Sequence, residues 1–596
     1  MKERRFSLVK QFPLPKEKVW DLLATNDHLN RMIGLFPVQF SNAKFDDSLF
    51  YLPAKAKMSG VSLSWKEYPF EWVKGEYYSV QRIYTSGPLA EFRAGIKLKD
   101  VSVDEEPMTE VEVFSMLRPA TVLGKLVIPV VAIPGMKKTH AYIEKYIALE
   151  DSPIVAVPQP KHHSTTNEQA LTHVMNKLEP SKAKDFFMEH LIQSHDQGVV
   201  EMQPYKLADQ WGLDRDDVLS LFLEATKAGV LNLAWSLMCP TCRVAKETES
   251  SLRNVKSDVH CDLCGISYNM NFDETIELRF TVHPSIRKAV SQTYCIGGPN
   301  ITPHILLQKR IRAGTSWDIP TIASDKDVRL RILTKSHLVP ESEEEEDELT
   351  YRDDGFEKDG FSRNGCTLHN KSRREIVAVV EEIERDPNVV TAAKVTTMTK
   401  FRRLFSSEVL AEGQEIGVEN VTIVFSDLRG STSLYESAGD ANAYRQVSDH
   451  FHFLSERIMK HGGTIIKTIG DSVMAAFYVP EDAVKTAIDI QQSIDAFNTE
   501  HDTDLSIKLG MYNGPAIAVT ANNQLDYFGH TVNMASRIEQ ESVGNDIMVS
   551  SDMLERPEIE EMIQAYEVEA YETQLYGIRE AVPLVRIKPS AVYVSV

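Results

Sequence analysis

Apolar and polar positions change rhythm several times along this chain. Residues 1–150 alternate with a period of two, as in VSLSWKEYPFEWVKGEYYSVQRIYTSG and TEVEVFSML, which predicts strands. Two helical patterns, at Lys16–Ala24 and at 136–148, bracket them, the second with Ile143, Tyr146 and Ile147 on one face. That order predicts an antiparallel sheet curved around a long closing helix. Residues 151–180 lapse into Pro, His, Ser and Thr (with His162-His163), the pattern of a linker. Three helical patterns fill 181–235. The third opens on Asp214, with Asp217 three residues on as in a capping box, and ends at Gly229 after the stripe Leu219, Phe222, Leu223. Strand-like sequence continues to about 335. The acidic run ESEEEEDE then predicts a solvated linker over 336–387.

The last block, 388–596, opens with VTIVF at 421–425, a short continuous apolar run of the kind a buried strand carries. It leads into Ser426-Asp427-Leu428-Arg429-Gly430, so a carboxylate sits at the strand's C-terminal edge. A helix with Tyr444, Val447, Phe451, Leu454 and Ile458 on one stripe follows, stopped by Gly462-Gly463. Thr464–Ile469 and Ser472–Phe477 then flank Gly470-Asp471, a two-residue hairpin signal. Pairing of this hairpin beside the first strand places Asp471 near Asp427. Two carboxylates at adjacent strand ends suit Mg²⁺ ions that bridge a triphosphate. A helix at 481–498, a strand at 506–511 and a helix at 531–540 complete a βαββαβ order, which predicts a ferredoxin-like α/β layer.

Composition narrows the partners. With 65 Lys+Arg against 86 Asp+Glu in 596 residues, the formal charge is −21. Nucleic acid and anionic membranes are thereby disfavoured. The apolar stretch at 126–136 is interrupted by Pro129 and Pro134 and is far shorter than the ~20 residues a spanning helix needs. No apolar signal core opens the chain, so a soluble, cytoplasmic protein is expected. Six cysteines are too few for a disulfide scaffold. Four of them form Cys239-Pro-Thr-Cys242 and Cys261-Asp-Leu-Cys264, the spacing of a zinc ribbon closed by four thiolates, hence a structural Zn²⁺. Cys295 and Cys366 stand alone.

Three motifs in the last block, FSDLRGST at 425–432, KTIGDSVMAAF at 467–477 and LDYFGHTVNMASRI at 525–538, resemble the catalytic domain of class III adenylyl/guanylyl cyclases. FRRLFSSEVL at 401–410 resembles the coupling segment that precedes such domains. The resemblance implies that Asp427 and Asp471 bind two Mg²⁺ or Mn²⁺ ions per active site. It implies that Asn533 and Arg537, four apart on one helix face, serve catalysis on the ribose and triphosphate, and that Lys467 and Asp526 contact the base. Lys467 only donates and ionised Asp526 only accepts, which matches adenine rather than guanine. The family's site lies between two catalytic domains. A single copy holding both residue sets therefore implies a homodimer with two equivalent sites. The chain departs from the family at Tyr576, where a Lys is common, and at Lys508, where an Arg is common; Lys508 and Arg579 are the candidate replacements for the triphosphate cation.

The first block is similar to the START-like helix-grip family in its opening strand, the helix KEKVWDLLA, its long strands and its closing helix. Such a fold implies an apolar cavity, with Trp65, Tyr68, Phe70, Trp72 and Phe92 as candidate lining, for an apolar ligand; a protein partner is the other expectation. The middle region, 181–335, is winged-helix-like and resembles an uncharacterised domain that accompanies such cyclases. Its third helix sets Asp214, Asp216, Asp217 and Glu224 against Arg215 and Lys227, the wrong charge for nucleic acid. The expectation is a multidomain α+β protein that converts ATP to cyclic AMP and pyrophosphate under N-terminal control. A guanylyl cyclase and a non-catalytic scaffold with the cyclase fold are the alternatives.

Overall fold

The computed structural model describes residues 2–46, 49–58, 61–102, 106–148, 164–261, 264, 266–335, 337–342, 347–430 and 440–589. The N-terminal block is an antiparallel sheet in which Arg4–Phe12 pairs with Thr109–Pro119, then Leu89–Asp100, then Tyr77–Ser86. The long helix Val122–Ile147 lies against it, with Met136, Tyr142 and Ile143 buried among Val111, Val113 and Leu117. This helix begins fourteen residues before the expected start at 136 and runs through Pro129 and Pro134. A proline costs a helix about 3 kcal/mol, and here packing of the helix face on the sheet outweighs it.

The sheet does not close at 150. Strand Glu71–Val73 pairs with Ile305–Ile311 (Leu307 opposite Val73, Gln308 opposite Trp72), and Ile376–Glu382, Val328–Ile332 and Leu338–Pro340 extend the same thirteen-stranded sheet. The Trp72 indole donates to the Ile305 carbonyl at 3.0 Å, and the Gln308 amide to the Phe70 carbonyl at 2.7 Å. The expected boundaries are corrected accordingly: one sheet draws on the first block, the middle region and the segment read as an acidic linker. Within 336–387 the strands Glu348–Arg352, Cys366–Asn370 and Ile376–Glu382 bury Leu349, Tyr351, Leu368, Val377 and Val379. The charge run masks an apolar alternation on both sides of it; residues 343–346 lie outside the described residues. Arg331 and Arg329 pair with the fully buried Glu381 at 2.8 and 2.7 Å, tying strand Val328–Ile332 to strand Ile376–Glu382. The linker read at 151–180 is corrected in part as well. Glu168–Met175 is a helix with Leu171 and Met175 in the core, whereas His162 and His163 lie outside the described residues.

Helices Ala183–Gln193, Pro204–Trp211 and Arg215–Lys227 follow, the last capped by Asp214 Oδ1 accepting from the Asp217 N–H at 2.9 Å. They pack on a three-stranded sheet of Ala245–Glu249, Leu231–Met238 and Ile276–Val282.

The C-terminal sheet has eight strands. Its order is Thr464–Ile469, Ser472–Phe477, Ile416–Leu428, Ile507–Ala521, Asp546–Ser550, Val582–Lys588, Glu567–Thr573, with Gln524–Phe528 paired to Ile507–Ala521. Helices Asp440–Lys460 and Pro480–His501 cover one face through Leu454, Ile458, Val484 and Ile494. On the other face, buried Phe401, Ile423, Met474 and Tyr527 continue into the same core as Phe222, Trp235 and Phe280 of the middle region. The Trp235 and Phe401 rings meet edge-on at 5.9 Å.

Candidate active site and metal centre

Strand Ile416–Leu428 is central, so both of its edges are paired near the residue that matters: Ser426 faces Val473 on one side, and Asp427 faces Lys508 on the other. Gly470, at φ +64°, turns the hairpin and delivers Asp471 beside this strand end. The Ser472 hydroxyl donates to Asp427 Oδ1 at 2.6 Å. Asp471 Oδ2 is buried and has no hydrogen-bond partner among the described residues. An orphaned carboxylate oxygen beside a second carboxylate fits a divalent cation. Behind the two aspartates, Lys508 Nζ pairs with Glu539 Oε1 at 2.9 Å, with the side chains 18% and 10% exposed. Burial pushes the Glu539 carboxyl up, Lys508 draws it back, and Asp427 and Asp471 push it up further. Lys508 therefore has a carboxylate partner in this chain, where the sequence offered it to phosphate. Helix His530–Gln540, which carries Glu539, lies so close to the strand that a Cβ on Gly510 would stand 2.2 Å from the Glu539 nitrogen. His450, fully buried on helix Asp440–Lys460, is held neutral: burial lowers its pKa to about 4 against the opposing pull of Asp427.

The base-contact pair forms a second cluster. Lys467 Nζ meets Asp526 Oδ2 at 2.7 Å, and Asp526 Oδ1 accepts from the Tyr527 N–H at 2.8 Å. Lys467 is 39% exposed and Asp526 13%. No hydrogen bond or ion pair joins this cluster to Asp427 and Asp471 among the described residues. Asn533 is exposed, while Arg537 is half-buried, donating to Gln540 Oε1 at 3.2 Å with its guanidinium 5.1 Å from the Tyr576 ring. Arg579 is exposed and makes no ion pair among the described residues.

Cys239, Cys242, Cys261 and Cys264 converge, all buried, with their sulfurs within 4.8 Å of one another. The Cys239–Cys264 and Cys242–Cys261 sulfur separations are 3.8 and 3.7 Å. Four thiolates at ~2.3 Å from a tetrahedral Zn²⁺ stand ~3.8 Å apart, so the cage has the right size. A third feature is a cavity of about 230 Å³ under the closing helix. Phe70 and Phe92 line it as expected, with Tyr78, Val113 and Met136. Trp65, Tyr68 and Trp72 do not: the two tryptophans are buried in the surrounding core, and the Tyr68 hydroxyl donates to Asp46.

Sequence reasoning passed over Ser472, Glu539 and His450. Ser472 was within reach, because the hairpin register sets it against Asp427. Glu539 lies two residues past Arg537, but its role depends on the close approach at Gly510. Nothing local marks His450.

Residues 414–579 match the adenylate and guanylate cyclase catalytic domain family, and residues 165–338 match a family of unknown function (DUF5939). The C-terminal segment is thus a class III adenylyl/guanylyl cyclase catalytic domain. It is similar to an adenylate cyclase of Anabaena cylindrica (28% identical over 184 residues, 26% of this chain and 37% of that protein). It is also similar to adenylate cyclase 1 of Rhizobium meliloti strain 1021 (30% over 149 residues, 22% of each) and to a receptor-type guanylate cyclase of Caenorhabditis elegans (31% over 142 residues, 22% and 12%). The chain thus covers well under half the length of each of these relatives. A solved adenylyl cyclase structure from P. aeruginosa aligns at 23% identity over 29% of this chain and 95% of that one, with a TM-score of 0.27. Among the described residues no helix is long and apolar enough to cross a membrane.

Proposed function

We propose that the chain is a cytoplasmic adenylyl cyclase that forms 3′,5′-cyclic AMP and pyrophosphate from ATP in a site shared by two copies of its catalytic domain. The observation that carries adenine over guanine is the Lys467–Asp526 pair. Lys467 donates to adenine N1, and Asp526 accepts from the 6-amino group; guanine would leave both groups mismatched. Asp427 and Asp471 hold Mg²⁺ or Mn²⁺. When bound, the ions acidify the ribose 3′-hydroxyl and neutralise the triphosphate. Asn533 fixes the ribose so that the 3′-oxygen lies in line with the α-phosphorus. Arg537 grips the triphosphate with its planar fork as charge moves onto the departing pyrophosphate. Arg579, exposed and without an ion pair among the described residues, is better placed than Lys508 to supply a further cation to the triphosphate.

Upstream, the four thiolates hold a structural Zn²⁺, and the N-terminal cavity takes an apolar ligand that sets activity. Ser115 Oγ and Asn26 Oδ1 line that cavity, buried and without hydrogen-bond partners among the described residues. The ligand therefore carries one hydrogen-bonding group on an otherwise apolar body.

The test is product formation from ATP and GTP by the full chain, followed by complementation. Asp427→Ala and Asn533→Ala each lower turnover by about a hundredfold or more. A subunit-exchanged equal mixture regains about a quarter of wild-type activity, because half the dimers then carry one intact site of two. No recovery after proven exchange sinks the shared site, and preferential turnover of GTP sinks the base assignment.

A further inference from the structure

Helix Thr399–Leu404 ties the middle region to the strand that carries Asp526. Lys400 pairs with Glu224 of the middle region. Two residues on, one Arg402 Nη donates to the Leu525 carbonyl and the other to the Thr396 carbonyl at 3.3 Å. The Thr396 hydroxyl in turn meets the hydroxyl of the buried Tyr527 at 3.3 Å. Segment 392–404 therefore holds strand Gln524–Phe528 at the residue before Asp526 and at the residue after it. Just beyond, Glu408 accepts from the Trp235 indole at 3.0 Å and the Leu252 N–H at 2.8 Å, so the anchor itself is fixed.

Arg402 makes no ion pair among the described residues. Burial draws its pKa down, and Tyr527 and Asp526 pull it back up. This matters because among the described residues Asp526 has one ion-pair partner, Lys467, and reading a base requires Lys467 to turn from the carboxylate to the purine. An only slightly exposed carboxylate is then left without its cation. Discrimination then rests on where the strand holds the Asp526 carboxylate, because a donor and an acceptor select a purine only when both meet its edge.

We infer that Arg402 is a positioning residue for base selection: its bond to the Leu525 carbonyl fixes the strand, and with it the Asp526 carboxylate that reads the purine once Lys467 turns to it. The inference rests on the assignment of Lys467 and Asp526 as base readers.

The test uses the full chain and steady-state turnover of ATP and GTP. Arg402→Gln is expected to lower the ATP:GTP ratio of kcat/KM about tenfold, acting through KM for ATP while kcat changes less than about threefold. Arg402→Met, similar in length but without charge or donors, carries the same expectation and serves if the first variant fails to fold. Arg402→Lys keeps a long donor for the Leu525 carbonyl and is expected to retain the ratio within about threefold. Lys400→Ala breaks the neighbouring contact with Glu224 and is expected to leave the ratio unchanged. Loss of kcat on both nucleotides at an unchanged ratio would make Arg402 a structural tie and overturn the inference. Asp526→Asn separates the layers. If it shifts the ratio and the Arg402 variants do not, the inference alone fails. If it too leaves the ratio unchanged, or if the wild-type chain turns over neither nucleotide, the base-reader assignment fails and takes the inference with it.

Discussion

At the scale of single residues the chemistry rests on which groups give hydrogen bonds and which take them. The pair Lys467 and Asp526 presents a donor and an acceptor to one edge of a purine, and exchanging that polarity should exchange the base. The double variant Lys467→Glu, Asp526→Cys is predicted to turn the preference from ATP to GTP, with the ratio of kcat/KM moving by about a hundredfold or more; turnover of the two nucleotides in parallel reads it. Lys508 shows why residue type alone was not enough. Its place in a strand was visible from the sequence, but its register opposite Asp427 and its ion pair with Glu539 depend on strand pairing and on a helix packed across the strand. Buried charge also sets a stability prediction. Burial would raise the Asp196 carboxyl, yet the Ser164 hydroxyl, the Val290 N–H and the fully buried Arg287 hold it at about 2. A depressed carboxyl stabilises the fold above its unfolded value near 4 and ceases to do so as the pH falls towards 2. Asp196→Asn should therefore cost about 3 kcal/mol at pH 7 by leaving Arg287 unpaired. The deficit should shrink by about 2 kcal/mol between pH 5 and pH 2, since protonation of the wild-type carboxyl removes the same attraction. Urea unfolding at several pH values measures both numbers.

At the scale of elements, local signals placed the active-site hairpin without error. Thr464–Ile469 and Ser472–Phe477 are strands with the bounds read from apolar alternation around Gly470-Asp471. The strand expected at 506–511 instead runs over Ile507–Ala521. At Pro515 the partner strand bulges between Val418 and Val421 and so accommodates the proline, which has no N–H to give. The closing helix Val122–Ile147 was foreshortened for the related reason that its prolines were read locally. Its Gly135 borders the cavity, and a Cβ there would meet nothing within 4 Å. Gly135→Leu should therefore fill the cavity at no cost in stability, since a leucine gains roughly 0.5–1 kcal/mol over glycine in a helix. It should abolish uptake of a neutral apolar dye such as N-phenyl-1-naphthylamine, read by fluorescence, while the unfolding temperature holds or rises. Undiminished dye uptake would show that the site lies elsewhere.

At the scale of the whole molecule, the least legible feature was the one that joins its parts. Sequence reading divided the chain at charge and composition, because those are local, whereas strands of the first block, the middle region and the supposed acidic linker belong to one sheet by pairing that no local pattern announces. The four-cysteine cage stands at this junction. Arg243, next to Cys242, donates to the Ile383 and Glu384 carbonyls at 2.8 and 2.7 Å, at the end of sheet strand Ile376–Glu382. The Thr241 carbonyl lies 3.3 Å from a ring nitrogen of His304, beside the buried Arg331–Glu381 pair. On its other side, strand Leu231–Met238 leads from the cage back to Trp235, which reaches Glu408 of the coupling segment. One knuckle thus links the N-terminal sheet to the catalytic domain, and its rigidity depends on four thiolates that would repel one another without a cation. The purified chain should hold one Zn²⁺. Cys242→Ser should lower the metal content to well under half, because a hydroxyl is a poor ligand for Zn²⁺ beside thiolates. Turnover by the catalytic domain should survive that change to within a few-fold, since none of Asp427, Asp471, Asn533 and Arg537 contacts the cage. Any effect of filling the N-terminal cavity on turnover should vanish, because the link through Arg243 and Trp235 is loosened. Metal analysis together with turnover, in the wild type and in Cys242→Ser, each with and without the ligand-mimicking Gly135→Leu change, decides it. If cavity filling changes turnover equally in both backgrounds, communication bypasses the cage.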